Sequence, residues 1–124
     1  MKVKVSELVG VQLDLAVALA LGGSITRSQD AQICLNGEHM LCGEKNKRYS
    51  RYVYSPSTNW EQCGSLIEAF DLTLNRVAPA NEHWISSPHN SWSSGIDKNP
   101  MIAICRAVVA AKIGDEVELP DDLV

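Results

Sequence analysis

The sequence lacks most of the signals that assign a small protein to a functional class. It contains no CxxC pair, no glycine-rich loop of the kind that binds phosphate, and no serine-elbow motif. Internal repeats, low-complexity segments and an obvious linker are absent as well. We therefore expect residues 1–124 to form one domain, and no motif predicts catalysis or a bound cofactor.

The chain also has little net charge. Its formal charge is −4 and its pI is about 5.3. This mild acidity gives no general attraction to phosphate groups, so the composition argues against nucleic-acid binding. Apolar residues make up 45% of the sequence, which is enough for a core that needs neither a metal nor a disulfide.

No hydrophobic run is long enough to cross a bilayer. The longest run, Leu13–Leu21, falls short of the roughly 20 apolar residues that a membrane span requires. Lys2 and Lys4 precede this run as in a signal peptide, but Glu7 and Asp14 interrupt that pattern. The sequence therefore predicts a cytoplasmic protein with no membrane association.

Four cysteines are spread along the chain, at Cys34, Cys42, Cys63 and Cys105. In a cytoplasmic protein they are predicted to be free thiols that fill the core as small apolar residues. Cys34, His39 and Cys42 lie close in sequence, but their spacing is not a zinc signature, so no metal site is predicted. A nucleophilic Cys63 paired with His83 or His89 is chemically feasible, yet no local motif supports it.

Two apolar helices are predicted, one near each end of the chain. Ser6 can cap the first helix, which Gly22 would end. Asn99 followed by Pro100 predicts the start of the second, which Gly114 would end. The first helix is apolar nearly all round, which fits either a central core helix or a contact in a homo-oligomer.

Several strands are predicted between these helices. The turn signal Asn36-Gly37 separates Ala31–Leu35 from Glu38–Cys42 and indicates a hairpin. Because hairpin connections dominate, we predict an α+β fold, with a small antiparallel sheet of four to six strands packed on the two terminal helices. The other predicted strands are Tyr49–Tyr54, Asp71–Val77 and His83–Ser86.

The segment 54–62 is the sharpest candidate for a binding site. Thr58 and Glu61 have the spacing of a capping box, which predicts a short helix that ends near Gly64. In one interpretation, polar side chains and Trp60 form an edge that binds a ligand or a partner. In the other interpretation, Ser57 and Thr58 cap the helix and Trp60 packs beneath it. We prefer this interpretation because every residue of the segment has a turn or capping role. The candidate binding residues of this segment are Tyr54, Ser55, Ser57, Asn59 and Trp60.

A second candidate lies in and beside Ser87–Asn99, which is predicted to be a long surface loop because it is rich in Ser, Pro, Asn and Gly. Long loops in compact domains are often functional, and Trp92 would suit an interface anchor. The alternative, equally open, is that Trp84 is a core residue of a strand and Trp92 folds the loop down. The candidate residues of this group are His83, Trp84, His89 and Trp92.

A small basic patch is predicted on one flank of the hairpin. Tyrosines are interleaved with it and could stack on bases of a nucleic acid. The preferred interpretation is a solvated surface, given the negative charge of the whole chain. The basic residues are Lys45, Lys47, Arg48 and Arg51.

Three segments share their pattern with one protein family. They are Ser6–Ala18, Tyr54–Glu68 with the motif SPSTNW, and Pro100–Val117 with the motif KIGDEV. On these segments the chain resembles the NinX-like proteins, which lambdoid phages and prophages of enteric bacteria encode. Asn59 stands where the family commonly has aspartate. The resemblance implies a phage or prophage origin and a bacterial cytoplasmic setting, and it assigns no mechanism and no catalytic residue.

These observations predict a phage or prophage accessory protein that binds a host or phage macromolecule without catalysing a reaction. One alternative is a small enzyme or ligand-binding domain with a pocket near Trp60 and Trp84. Another is a nucleic-acid-associated protein that uses the basic patch.

Overall fold

The computed structural model describes residues 1–27, 31–42, 53–77, 83–89 and 93–121, and it confirms the α+β class. A short 3₁₀ helix, Val5–Glu7, precedes the first α-helix. The α-helices are α1 (Gly10–Ala20), α2 (Trp60–Phe70) and α3 (Pro100–Lys112). The strands are β1 (Lys2–Lys4), β2 (Ser24–Arg27), β3 (Gln32–Leu35), β4 (Glu38–Cys42), β5 (Val53–Tyr54), β6 (Leu72–Val77), β7 (His83–Pro88), β8 (Gly95–Asp97) and β9 (Glu116–Glu118).

The described strands form three small sheets instead of the one that we predicted. The strand orders are β1-β9, β2-β3-β4-β5 and β6-β7-β8. All pairs are antiparallel except β4 and β5, which run parallel. A two-residue turn forces antiparallel pairing, whereas the longer connection between β4 and β5 does not.

Helix α3 lies at the centre of the core. Its residues Ala103–Val109 are all buried, and it packs against β7, β8, α1 and α2. Helix α1 is buried from Leu13 to Ala18. Burial within the same chain accounts for the all-round apolar character of α1, so this helix needs no partner chain to cover it.

The start of α1 differs from the prediction, and its end confirms it. Ser6 caps nothing and lies in the 3₁₀ helix; α1 begins at Gly10 after Val9, which makes no side-chain cap. Leu8 lies between the 3₁₀ helix and α1, where it is fully buried with an extended backbone. Because Leu8 is buried in this conformation, the helix that the pattern predicts is interrupted there.

At the other end, Gly22 has a φ of +90°. Its N–H donates to the carbonyl of Leu19 (3.0 Å), and the Gly23 N–H donates to that of Ala18 (2.9 Å). This is a Schellman motif, in which a glycine in the left-handed region ends the helix. The predicted stop is therefore confirmed.

The hairpin at Asn36-Gly37 is also confirmed. Both turn residues have positive φ, 53° and 82°, and β3 and β4 pair across them. Strand β2, which pairs with β3, was not predicted. Its four residues are mostly exposed and polar, so they carry no alternating apolar pattern that would mark a strand.

Helix α2 is longer than predicted. It continues through Gly64 to Phe70 and ends at Asp71, which has a φ of 51°. Cys63 and Leu66 are buried, and α2 packs on α3. This tertiary contact outweighs the roughly 1 kcal/mol that a glycine costs inside a helix.

The prediction of a long loop from Ser87 to Asn99 is wrong for its described part. Strand β7 extends to Pro88, and β8 forms a third strand beside it. The reason is packing: a Cβ at Gly95 would overlap the backbone of α3, so glycine allows β8 to lie directly on this helix.

The end of the chain largely follows the sequence. Asn99 Oδ1 accepts a hydrogen bond from the Met101 N–H (2.9 Å), which confirms the predicted cap of α3. Strand β9 pairs with β1, and Leu119 after it is buried.

Two glycine substitutions test this packing. We expect Gly95→Ala to lower the free energy of unfolding by about 3 kcal/mol or more, because the new methyl group meets the backbone of α3. Gly64→Ala is the matched control: a Cβ there meets nothing within 4 Å, and alanine should stabilise α2 by about 0.5–1 kcal/mol. Urea denaturation followed by circular dichroism measures both. Equal stabilities for the two variants would contradict the close approach of β8 to α3.

Candidate functional site

Residues 55–62, which we call the Trp60 platform, connect β5 to α2 and are held by a dense set of hydrogen bonds. The side chain of Gln62 makes two of them: its Oε1 accepts from the Ser55 N–H (2.6 Å), and its Nε2 donates to the Val53 carbonyl (2.9 Å). The N–H groups of Thr58 and Asn59 both donate to the Ser55 carbonyl, at 3.0 and 2.9 Å. The segment is therefore a closed turn with a fixed path into the helix.

The predicted capping box is wrong, because the helix starts one residue later than the pattern indicates. Asn59 is the N-cap, and its Oδ1 accepts from the N–H groups of Glu61 (2.9 Å) and Gln62 (3.2 Å). The Thr58 hydroxyl instead donates back to the Ser55 carbonyl at 3.4 Å. The turn from Ser55 to Asn59 uses up the residues that the capping box would need.

The platform is also attached to the core. Pro56 is fully buried, and the backbone N–H of Ser57 donates to Oδ1 of the buried Asp14 in α1 at 2.9 Å. Tyr54 and Ser57, two of the candidate binding residues, are buried at 7% and 2% exposure. They therefore position the platform, whereas the residues after them form its surface.

Trp60 lies on that surface. It is the first residue of α2, and 52% of it is exposed. The interpretation in which Trp60 packs beneath the helix is therefore wrong. Asn59 and Glu61 beside it are exposed as well, so a large indole projects from a short polar surface whose backbone is fixed.

Asp14 is the buried charge beneath the platform. It is 3% exposed, and burial raises its pKa to about 6, an effect that hydrogen bonding from Ser57 partly offsets. Among the residues that the structure describes, no basic side chain contributes to this pKa, and the thiol of Cys42 and the phenol of Tyr54 are affected by the charge of Asp14. Near neutral pH the carboxylate is thus held in the core mainly by Ser57.

The described members of the second candidate group lie on β7 and directly after it. His83 and Trp84 are half-buried on β7, where Trp84 pairs with Arg76 on one side and Asp97 on the other. His89 is exposed, and its backbone N–H donates a hydrogen bond to the Asp71 carbonyl at 3.1 Å. Trp92 and the basic patch, Lys45, Lys47, Arg48 and Arg51, lie outside the described residues.

The four cysteines are free thiols, and three of them are buried. Burial raises the pKa of Cys42 to about 12. Cys63 has no exposed surface, and its Sγ lies 3.8 Å from the Met101 carbonyl, so a substrate could reach it only through local opening of α2 from α3. Within the described ranges, no three histidine, cysteine or acidic side chains are placed to hold a metal ion.

Arg106 is the second buried charge, at 8% exposure on α3. Its Nε donates to the Leu8 carbonyl (3.0 Å), and its Nη1 donates to the Ile96 carbonyl (2.7 Å) and to Oδ1 of Asp97 (3.1 Å). The guanidinium therefore joins α3 to β8 and to the break before α1.

Sequence reasoning missed both buried charges as structural centres. A signal was present, since Asp14 and Arg106 each interrupt an otherwise apolar helix. A charged side chain on a buried helix must form hydrogen bonds or ion pairs with specific partners, and such a residue often marks a structural or functional centre. Nothing in the sequence indicates that the partners are Ser57 and the carbonyls near Leu8 and Ile96.

Two cavities in the described part of the structure lie away from the predicted pocket. One is lined by residues of β1, β8 and α3, and the other by the chain start, β2 and the segment after β9. Neither has Trp60 or Trp84 among its lining residues.

These features define a small α+β protein that presents an exposed tryptophan on a fixed surface segment. The family model described as "Bacteriophage P22, NinX" matches residues 4–112. Because the match covers most of the chain, the protein belongs to the NinX family and is phage-associated, as the sequence motifs implied. No curated protein matches the chain. Among the described helices, none is long and apolar enough to span a membrane.

The pKa of Asp14 gives a test by pH. Because folding raises this pKa, the native state is favoured while Asp14 is protonated, and stability falls as the pH rises through about 6. We expect Asp14→Asn to remove this dependence, so that the difference in unfolding free energy between wild type and variant changes by about 2 kcal/mol from pH 4 to pH 7.

Urea denaturation at several pH values measures this difference, and the same substitution at the exposed Asp71 controls for loss of a surface carboxylate. A difference between wild type and Asp14→Asn that does not vary with pH would show that Asp14 is not a desolvated carboxylate.

Proposed function

We propose that this protein is a non-enzymatic binding module of a phage or prophage, and that it contacts a host or phage macromolecule through the Trp60 platform. The observation that carries the proposal is the 52% exposure of Trp60 on a segment that the core holds in place. Tryptophan is strongly enriched among the residues that dominate binding energy at protein interfaces.

The fixed backbone favours this role energetically. A partner that docks on the platform does not have to order the turn, because Gln62, Asn59 and Asp14 already hold it. Association therefore loses little conformational entropy beyond that of the indole, which has few rotatable bonds. Ser55 and Asn59 belong to the same platform and can supply the polar rim of such a contact.

Two further parts of the proposal rest on sequence. Trp92 remains a predicted second anchor. The bacterial cytoplasm remains the predicted setting, and the four free thiols suit a reducing compartment.

A photocrosslinking experiment tests the proposal. A benzophenone side chain replaces Trp60 in the tagged full-length chain, and the matched control carries it at Ile113, which is 40% exposed at the end of α3. After irradiation in enteric host cells that carry the phage, we expect one dominant macromolecular product from position 60 and none from position 113. Nuclease treatment of the product separates a protein partner from a nucleic acid.

Trp60→Ala gives the quantitative test. Binding of the captured macromolecule should weaken by roughly 30-fold or more, because loss of a central aromatic anchor costs about 2 kcal/mol or more. Ile113→Ala should leave the affinity unchanged. The proposal fails if both crosslinking positions give the same products or if Trp60→Ala binds as tightly as wild type.

A further inference from the structure

A cavity of about 420 Å³ lies where the N-terminal segment, β8 and the last turns of α3 meet. This volume is in the range of pockets that hold small organic molecules. Its walls come from three parts of the chain and include Val5, Ile96 and Ala110. The cavity is distinct from the Trp60 platform.

Arg106 is the buried charged residue among those that line this cavity. Its Nε and Nη1 are occupied by the carbonyls of Leu8 and Ile96 and by Asp97. Its Nη2 makes no hydrogen bond to any residue that the structure describes, although the side chain is more than nine-tenths buried and lines the cavity. This donor keeps some contact with solvent, and a carboxylate is among the strongest acceptors for it.

The charges around the cavity select among possible anions. Lys4 and Glu116 are opposite each other in the β1–β9 pair and offset one another, as Arg106 and Asp97 do. Asp115 also lines the cavity, and it makes no ion pair with the described residues. A ligand with several negative charges would be repelled by Asp115, whereas an ammonium group would be attracted to it.

We propose that the Arg106 cavity binds a small zwitterion, a molecule with one carboxylate and one ammonium group as in a free amino acid or a dipeptide. The carboxylate accepts hydrogen bonds from Arg106 Nη2, and the ammonium lies beside Asp115. The apolar surfaces of Val5, Ile96 and Ala110 contact the ligand's carbon atoms. This site does not depend on the proposed role of Trp60.

The test uses the full chain with ¹⁵N-labelled arginine. The Nε–H resonance of Arg106 is followed by NMR during titration with free amino acids, dipeptides, acetate and inorganic phosphate. We expect a saturable shift with at least one zwitterion, a weaker effect of acetate and no saturation with phosphate. The comparison of free amino acids with dipeptides identifies which source of the shared chemistry the cavity accepts.

Two variants locate the binding. Ala110→Phe fills the cavity and leaves the hydrogen bonds of Arg106 in place, so zwitterion affinity should fall by roughly tenfold or more. Ala111→Phe, one residue further on α3, is the matched control and should bind the zwitterion as tightly as wild type does. Asp115→Asn, at an exposed position, should weaken zwitterion binding by roughly tenfold and leave acetate binding unchanged, and it provides the test if Ala110→Phe does not fold.

Three results would overturn the proposal. They are the absence of saturable binding by every zwitterion tested, tighter binding of phosphate than of any zwitterion, and zwitterion affinity that neither Ala110→Phe nor Asp115→Asn changes.

Discussion

The hydrogen bonds of Arg106 are the interaction on which the arrangement of α3, β8 and the N-terminal segment depends. Burying a guanidinium is costly unless its donors find acceptors, and here three donor contacts go to Leu8, Ile96 and Asp97. The Leu8 carbonyl lies at the break before α1, and the other two acceptors lie on β8. One side chain thus donates hydrogen bonds to two segments that pack beside α3.

Asp14 has the corresponding role on the other side of the core. Its carboxylate has a raised pKa because it is desolvated, and the Ser57 N–H is the hydrogen-bond donor that anchors it. A buried charge with so few partners costs stability at neutral pH. What the arrangement provides is a defined position for the turn that precedes α2, and so for Trp60. We infer that this local cost accompanies the fixing of an exposed tryptophan, which a freely moving loop could not present in one orientation.

The sequence predicted those elements whose signals are local. The Asn36-Gly37 turn, the Gly22 stop and the Asn99 cap depend on residues next to each other, and the structure has all three. The family was predictable too, because its motifs lie in contiguous segments. The sequence did not predict features that depend on packing between distant segments: the burial of Leu8 that delays α1, the contact of Gly95 with α3, and the continuation of α2 through Gly64. For the candidate site, the preferred interpretation placed Trp60 beneath the helix, whereas the structure exposes it.

The central claim is that Trp60 is both exposed and held rigidly by the platform. The most direct measurement is the fluorescence of a chain in which Trp84→Phe and Trp92→Phe leave Trp60 as the only tryptophan. The account predicts a red-shifted emission that acrylamide quenches readily, with an anisotropy decay dominated by tumbling of the whole protein. A blue-shifted emission protected from acrylamide would show that Trp60 is buried, and a fast local decay would show that the platform does not hold it.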